Sequence, residues 1–127
     1  VDQMENSLKD RLSVAAFAAR LGLSRGVTGY MYHTVPLCLY AWLRHWGEYG
    51  TTVQSVIECG GDADTTGAIA GALAGVATGP SGIPGDWIRG LWEFPKTNRY
   101  LEHLAAALAK QDTSLAPSLG VSAMLLP

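Results

Sequence analysis

Charge is what this sequence has least of. Of its 127 residues, 9 are Lys or Arg and 11 are Asp or Glu, which leaves a net charge of −2. The basic residues are scattered, so no electrostatic footprint for nucleic acid is present. Cysteine is almost as scarce. Cys38 and Cys59 are the only two, both in apolar surroundings. A disulfide framework is thereby excluded, and two reduced, buried thiols in a cytoplasmic protein are expected. Asp2, Glu5, Lys9, Asp10 and Arg11 interrupt any apolar run near the start, so no signal peptide is expected there. Long hydrophobic runs are missing too. The uncharged stretch over residues 65–80 is shorter than the roughly 20 apolar residues of a membrane span, although it carries the Gly-x-x-x-Gly spacing used in membranes. Strand patterning is weak throughout, which points to an all-α helical bundle. The length suits one domain with a modest core.

Glycine, by contrast, is abundant, and its placement organises the chain. Gly67, Gly71, Gly75 and Gly79 recur at every fourth position of a run of Ala, Ile, Leu, Val and Thr. That spacing puts them near one face of a helix. Each Gly costs a helix about 1 kcal/mol against Ala, so a close approach of neighbouring backbones is the expected reason. Just before this helix stand Gly60-Gly61-Asp62-Ala63-Asp64-Thr65. The two glycines permit unusual backbone angles. Asp62 and Asp64 fall near the positive end of a helix that starts close to Asp64. Two readings of the acids stand. One Asp caps the helix while the other is solvated. Alternatively Asp62, Asp64 and Thr65 form a hard oxygen set suited to Mg²⁺, Mn²⁺ or Ca²⁺ rather than zinc.

The remaining elements follow from periodicity. Asn6 or Ser7 caps a first helix with Leu8, Leu12, Ala15 or Ala16 and Ala19 on one face, ended by Gly22. A glycine-containing loop leads to Thr34, a good cap, with Pro36 in the first turn of the next helix. Residues 37–46 are apolar nearly all round and predict a buried helix. Thr51 or Thr52 opens a short helix with Val53, Val56 and Ile57, although Val53 and Ile57 also fit an alternating strand. After the glycine-rich helix, Pro84 restarts a short helix holding Trp87, Ile88 and Leu91. Thr97 or Asn98 caps a last one with Leu101, Leu104 and Leu108. The four tryptophans, Trp42, Trp46, Trp87 and Trp92, are expected in the core or on its rim. The tail over residues 112–127 is rich in Ser, Pro and small residues and reads as irregular, beyond a helical part over residues 1–111.

Three motifs in order give the chain a resemblance. The Gly60–Thr65 run, followed by Ala68-Ile69-Ala70-Gly71-Ala72 and Gly75, resembles the C-terminal signature of the ADP-ribosylglycohydrolase family. Ile83-Pro84-Gly85-Asp86-Trp87 resembles its Ile-Pro-x-x-Trp segment. Gly29-Tyr30-Met31-Tyr32-His33-Thr34-Val35-Pro36, then Tyr40-Ala41, resembles the segment before its buried helix. The likeness runs from about residue 8 to about residue 108. Ala63 stands where members often have Thr, and Glu58 where many have a small polar residue.

What the resemblance implies is a helical metal-dependent hydrolase that cleaves glycosidic bonds to ADP-ribose with two Mg²⁺ or Mn²⁺ ions. Asp62, Asp64 and Thr65 are its implied metal ligands, and Gly29 and Tyr30 lie in the implied substrate loop. Glu58 reads as a surface acid or an extra acid near the site, and His33 as a structural histidine bonded to backbone. The family's N-terminal ligands include a Thr-Asp-Asp-Thr run, which these residues do not contain. The expected fold is therefore partial, and the chain inactive without complementing acids. Its implied partners are ADP-ribose or an ADP-ribosylated substrate once complemented, and a second chain or second copy covering an exposed apolar face. Two other functions stay open: a non-catalytic helical domain that binds a partner or self-associates, and an ADP-ribose-binding module.

Overall fold

The computed structural model describes residues 2–92 and 97–111. The described residues form seven α-helices and no strand: α1 (Asp2–Lys9), α2 (Val14–Arg20), α3 (Met31–Arg44), α4 (Tyr49–Ile57), α5 (Ala63–Thr78), α6 (Gly85–Gly90) and α7 (Asn98–Ala109). A 3₁₀ turn, Pro80–Gly82, follows α5. The all-α expectation holds. The chain divides into two compact units, Val1–Pro84 and Gly85–Pro127. The tail expected to be irregular, residues 112–127, lies outside the described residues.

The first unit is built on α3, α4 and α5, with α1 and α2 laid against α3. Its core is Val14, Phe17, Ala18, Leu23, Val27, Leu37, Cys38, Tyr40, Ala41, Val56 and Ala70. Tyr40 is fully buried and stacks on Phe17, with ring centroids 4.0 Å apart. Its hydroxyl lies 3.0 Å from the Ser7 carbonyl and 2.9 Å from that of Leu12. A buried phenol needs such acceptors, or its desolvation goes uncompensated.

Those carbonyls are available because the first helix breaks. One continuous helix from residue 6 to Gly22 is the sequence expectation, and the structure corrects it. The chain leaves α1 after Lys9, Arg11 adopts φ +52°, and Ser13 caps α2 by accepting from the Ala16 amide at 3.1 Å. Arg44 Nε donates to the same Leu12 carbonyl at 3.2 Å. Tertiary hydrogen bonds from α3 thus stabilise a turn that local periodicity does not announce.

Two further corrections concern α3. Thr34 does not cap it. The helix begins three residues earlier with Tyr30 at the cap position, and Thr34 is buried inside. Pro36 consequently sits within the helix rather than in its first turn, where its missing N–H leaves a backbone carbonyl without the usual donor. Nor is the helix buried all round. Leu37, Cys38, Tyr40 and Ala41 are buried, but Met31, Tyr32, Val35 and Leu43 are exposed, as is Trp46 beyond the helix end.

The glycines of α5 face α4, and the contact is with side chains rather than backbone. A Cβ at Gly67 would lie 3.6 Å from Ile57 Cδ1, one at Gly71 3.0 Å from Tyr49 Oη, and one at Gly75 3.8 Å from Tyr49 Cε2. Removing three Cβ atoms opens a channel into which the Tyr49 ring and the Ile57 side chain pack. The segment that fits either helix or strand, residues 53–57, is helical.

The tryptophans meet the expectation only in part, since Trp42 lies on the rim of the core while Trp46 and Trp92 are exposed. None is in the core. Trp46 is 62% exposed and Trp92 97% exposed. Trp42 is half-buried, and its indole N–H has no acceptor among the described residues. In the second unit, Thr97 caps α7 by accepting from the Tyr100 amide at 3.3 Å, as anticipated. The Asn98 side-chain amide donates to the Ile88 carbonyl at 2.8 Å, which joins α7 to α6.

Candidate functional site

The site is assembled by a single β-like bridge in an otherwise helical fold. Val27 pairs in parallel with Gly61. The Val27 amide donates to the Gly60 carbonyl at 3.0 Å, and the Asp62 amide donates to the Val27 carbonyl at 2.7 Å. Gly60 and Gly61 both have positive φ, +69° and +83°. A side chain at Gly61 would collide with the Val27 backbone. Gly26 meets the same strip from the other side, since a Cβ there would lie 3.0 Å from the Gly61 nitrogen. Glycine is therefore required twice over at Gly61, by angle and by space.

This bridge delivers Asp62 to the cap position of α5, yet its side chain does not cap the helix. It turns instead over Gly29, where an added Cβ would come within 2.5 Å of Asp62 Oδ2. The Asp62 side chain also lies within hydrogen-bonding reach of Asp64. Asp64 is exposed in the first turn of α5. Its carboxyl is held below its ordinary range first by the Asp62 side chain, then by the amides of Thr65 and of Asp64 itself. Among the described residues neither acid forms an ion pair. Thr65 is half-buried beside them. Thr66 is spoken for, since its hydroxyl donates to the Asp62 carbonyl at 3.0 Å.

α3 runs alongside α5 in the same direction. Gly29 meets Asp62 at one end, and Cys38 Sγ donates to the Thr66 carbonyl at 3.4 Å further along. The N-termini of α3 and α5 thus both open near the acid pair. Burial pushes the Cys38 thiol up to about 11, so it is inert packing rather than chemistry. Cys59 is half-buried and also free.

The loop entering α3 adds an aromatic group. Tyr30 is 58% exposed and sits 5.4 Å from Tyr32 and edge-on to His33 at 5.3 Å. His33 is indeed held in place, but by the Thr28 hydroxyl at 2.8 Å rather than by backbone. The structure therefore brings Gly29, Asp62 and Asp64 together and places Tyr30 next in the chain. Thr28 and Tyr32 belong to the same group, and sequence reasoning passed them over. Their signal was present as an aromatic pair around a Gly-Tyr turn. Glu58 is elsewhere. It is exposed, ends α4, and lines two surface cavities that exclude both aspartates.

In donor type the acid pair fits a hard divalent cation. The two acids are hard oxygen donors, and among the described residues neither is in an ion pair with a basic side chain. In number it falls short. Among the described residues no group of three or more His, Cys, Asp or Glu gathers around one point.

The fold and site thus define an all-helical protein with an acid pair at the head of a glycine-lined helix. The profile of one family, ADP-ribosylglycohydrolase, matches residues 2–116, and the chain belongs to that family. No curated protein and no solved structure matches it.

Proposed function

We propose that this chain forms part of a metal-dependent hydrolase that cleaves a glycosidic bond to ADP-ribose. The observation that supports this most directly is the turn of Asp62 away from its capping role and toward Asp64. In this reading Asp64 and Asp62 ligate a Mg²⁺ or Mn²⁺ ion, and Thr65 adds a neutral oxygen. Such an ion supplies polarisation of the ribose hydroxyls and orientation of an attacking water. The residues of the chain itself bind and position. The Asp62 side chain, then the amides of Thr65 and Asp64, hold the Asp64 carboxyl below its ordinary range. Gly29 leaves room for the Asp62 carboxylate, and the exposed Tyr30 ring offers a face to a base or ribose.

Two carboxylates do not compensate two divalent ions, so the chain alone binds one ion weakly and is inactive. Complementing acids come from helices that pack on the apolar faces of α3 and α5. On α3 these are Val35 and Leu43, with Trp46 just beyond its end, and on α5 Val76, which is 86% exposed. Exposed apolar surface of this extent marks an interaction site.

Mn²⁺ titration followed by paramagnetic broadening of amide signals tests the site. Broadening centred on Asp62–Thr65, weakened at least about tenfold by Asp64→Asn, is expected, since even outer-shell changes cost that much. Unchanged binding in an Asp62→Asn, Asp64→Asn double variant would overturn the metal assignment. Binding of ADP-ribose without hydrolysis after complementation would favour the binding-module reading, which the exposed Tyr30 and Tyr32 rings support.

A further inference from the structure

A cavity of about 370 Å³ lies away from the aspartates, where the α1–α2 turn meets the end of α3 and the outer side of α4. Its wall includes Arg11, Ser13, Arg44, His45, Gln54 and Ser55. Its charge is the first point of interest. The ion pairs among the described residues are Arg20 with Asp10 and Arg89 with Asp86. Arg11 and Arg44 take part in neither. Two guanidiniums therefore share one concavity without a paired carboxylate. Glu58 also lines the cavity and makes no ion pair with either of them.

Arg44 is anchored at one edge of its guanidinium. Its Nε is committed to the Leu12 carbonyl at 3.2 Å, which fixes the guanidinium plane. No described hydrogen bond uses its two terminal nitrogens. Arg11 is the second point. Among the described residues only Arg11 and Gln111 have positive φ without being glycine. This conformation costs a non-glycine residue about 1 kcal/mol or more. Glycine would remove that cost, and what glycine cannot supply is the guanidinium.

We propose that this cavity binds a small phosphorylated molecule, its phosphate drawn by Arg11 and Arg44 and its polar remainder set against Gln54 and Ser55. A lone carboxylate is satisfied by one guanidinium fork, whereas a phosphate has acceptor oxygens for two. The volume sits at the small end of ligand cavities and exceeds what a bare phosphate fills. Room is left for a sugar-sized group. Gln54 has no hydrogen-bonding partner for its side chain among the described residues, and the Ser13 hydroxyl, which accepts from the Ala16 amide, still has its proton to donate. The site shares no residue with the acid pair, so it stands or falls independently of the hydrolase reading.

The test is a titration of the full chain with inorganic phosphate at low salt, read by ¹H–¹⁵N spectra, with acetate as the comparison anion. Saturable shifts at Arg11, Ser13, Gln54 and Ser55 are expected with phosphate and not with acetate. Arg11→Gly should keep the melting temperature at or above that of the parent, because it relieves the backbone. The same variant should weaken phosphate binding by about tenfold or more, the effect of losing one charge-assisted contact. Equal binding in Arg11→Gly, equal saturation by acetate, or shifts that never saturate would each overturn the proposal.

Discussion

Asp62 stands where a helix cap belongs and leaves the capping undone. An Asp at that position ordinarily accepts from the amides of the first turn, and the sequence allows that role as readily as a metal ligand. What sets the direction of its side chain lies in Gly26, Val27 and Gly29, which are far away in the chain. Val27 anchors the Asp62 amide, and Gly29 leaves space for its carboxylate. Two adjacent glycines ahead of two acids are legible in a sequence. The partner that gives them their geometry is not, because pairing between distant segments leaves no local periodicity. The same applies to Tyr40, whose neighbours Ser7 and Leu12 become acceptors only through tertiary packing. At this scale pH dependence can also be read. Burial, then the nearby Arg44, push the His45 imidazole below its ordinary 6.5, and Glu48 opposes them. Arg11 and Glu58 line the same cavity. A depressed histidine binds its proton less well folded than unfolded. Its neutral form therefore supports the fold fully above 6.5, and that support is lost as pH falls through the folded value. Urea unfolding from pH 7.5 down to 5 should show a decline in stability that His45→Gln reduces.

Elements were more readable than contacts. The short helix through Val53, Val56 and Ile57, the glycine-rich helix and the last helix with its Thr97 cap follow from spacing, although the first of these starts at Tyr49 with Glu48 at the cap position rather than at Thr51 or Thr52. The break between α1 and α2 does not, because Leu8, Leu12, Ala15 and Ala19 keep helical spacing straight through it. The reason given by the sequence for the glycine stripe was also incomplete. On α5 the glycines admit side chains of α4, and only Gly71 is tight. Gly67→Ala and Gly75→Ala would place a methyl at ordinary contact distance. Each should therefore stabilise the protein by about 0.5–1 kcal/mol through helix propensity. Gly71→Ala would press on the Tyr49 hydroxyl at 3.0 Å and should gain nothing or lose. Chemical denaturation of the three single variants separates them.

For the whole molecule, an all-helical fold and its family were within reach of the sequence, since three motifs occur in order. Which faces stay uncovered was not, because a helix that is apolar all round does not declare its neighbours. No described helix is long and apolar enough to cross a membrane. The chain should associate as its concentration rises, and Leu43→Glu with Val76→Glu should suppress this while leaving helix content intact. Sedimentation velocity with circular dichroism checks both. A monomer at every concentration, with no uptake of an apolar dye, would remove the reason to assign those faces to other helices.

The bridge from Val27 to Gly61 has a consequence for access. The acid pair stands on two stretches clamped by a reciprocal pair of amide bonds, so neither can swing without dismantling the other. Whatever reaches the aspartates meets a threshold whose two sides are tied to each other.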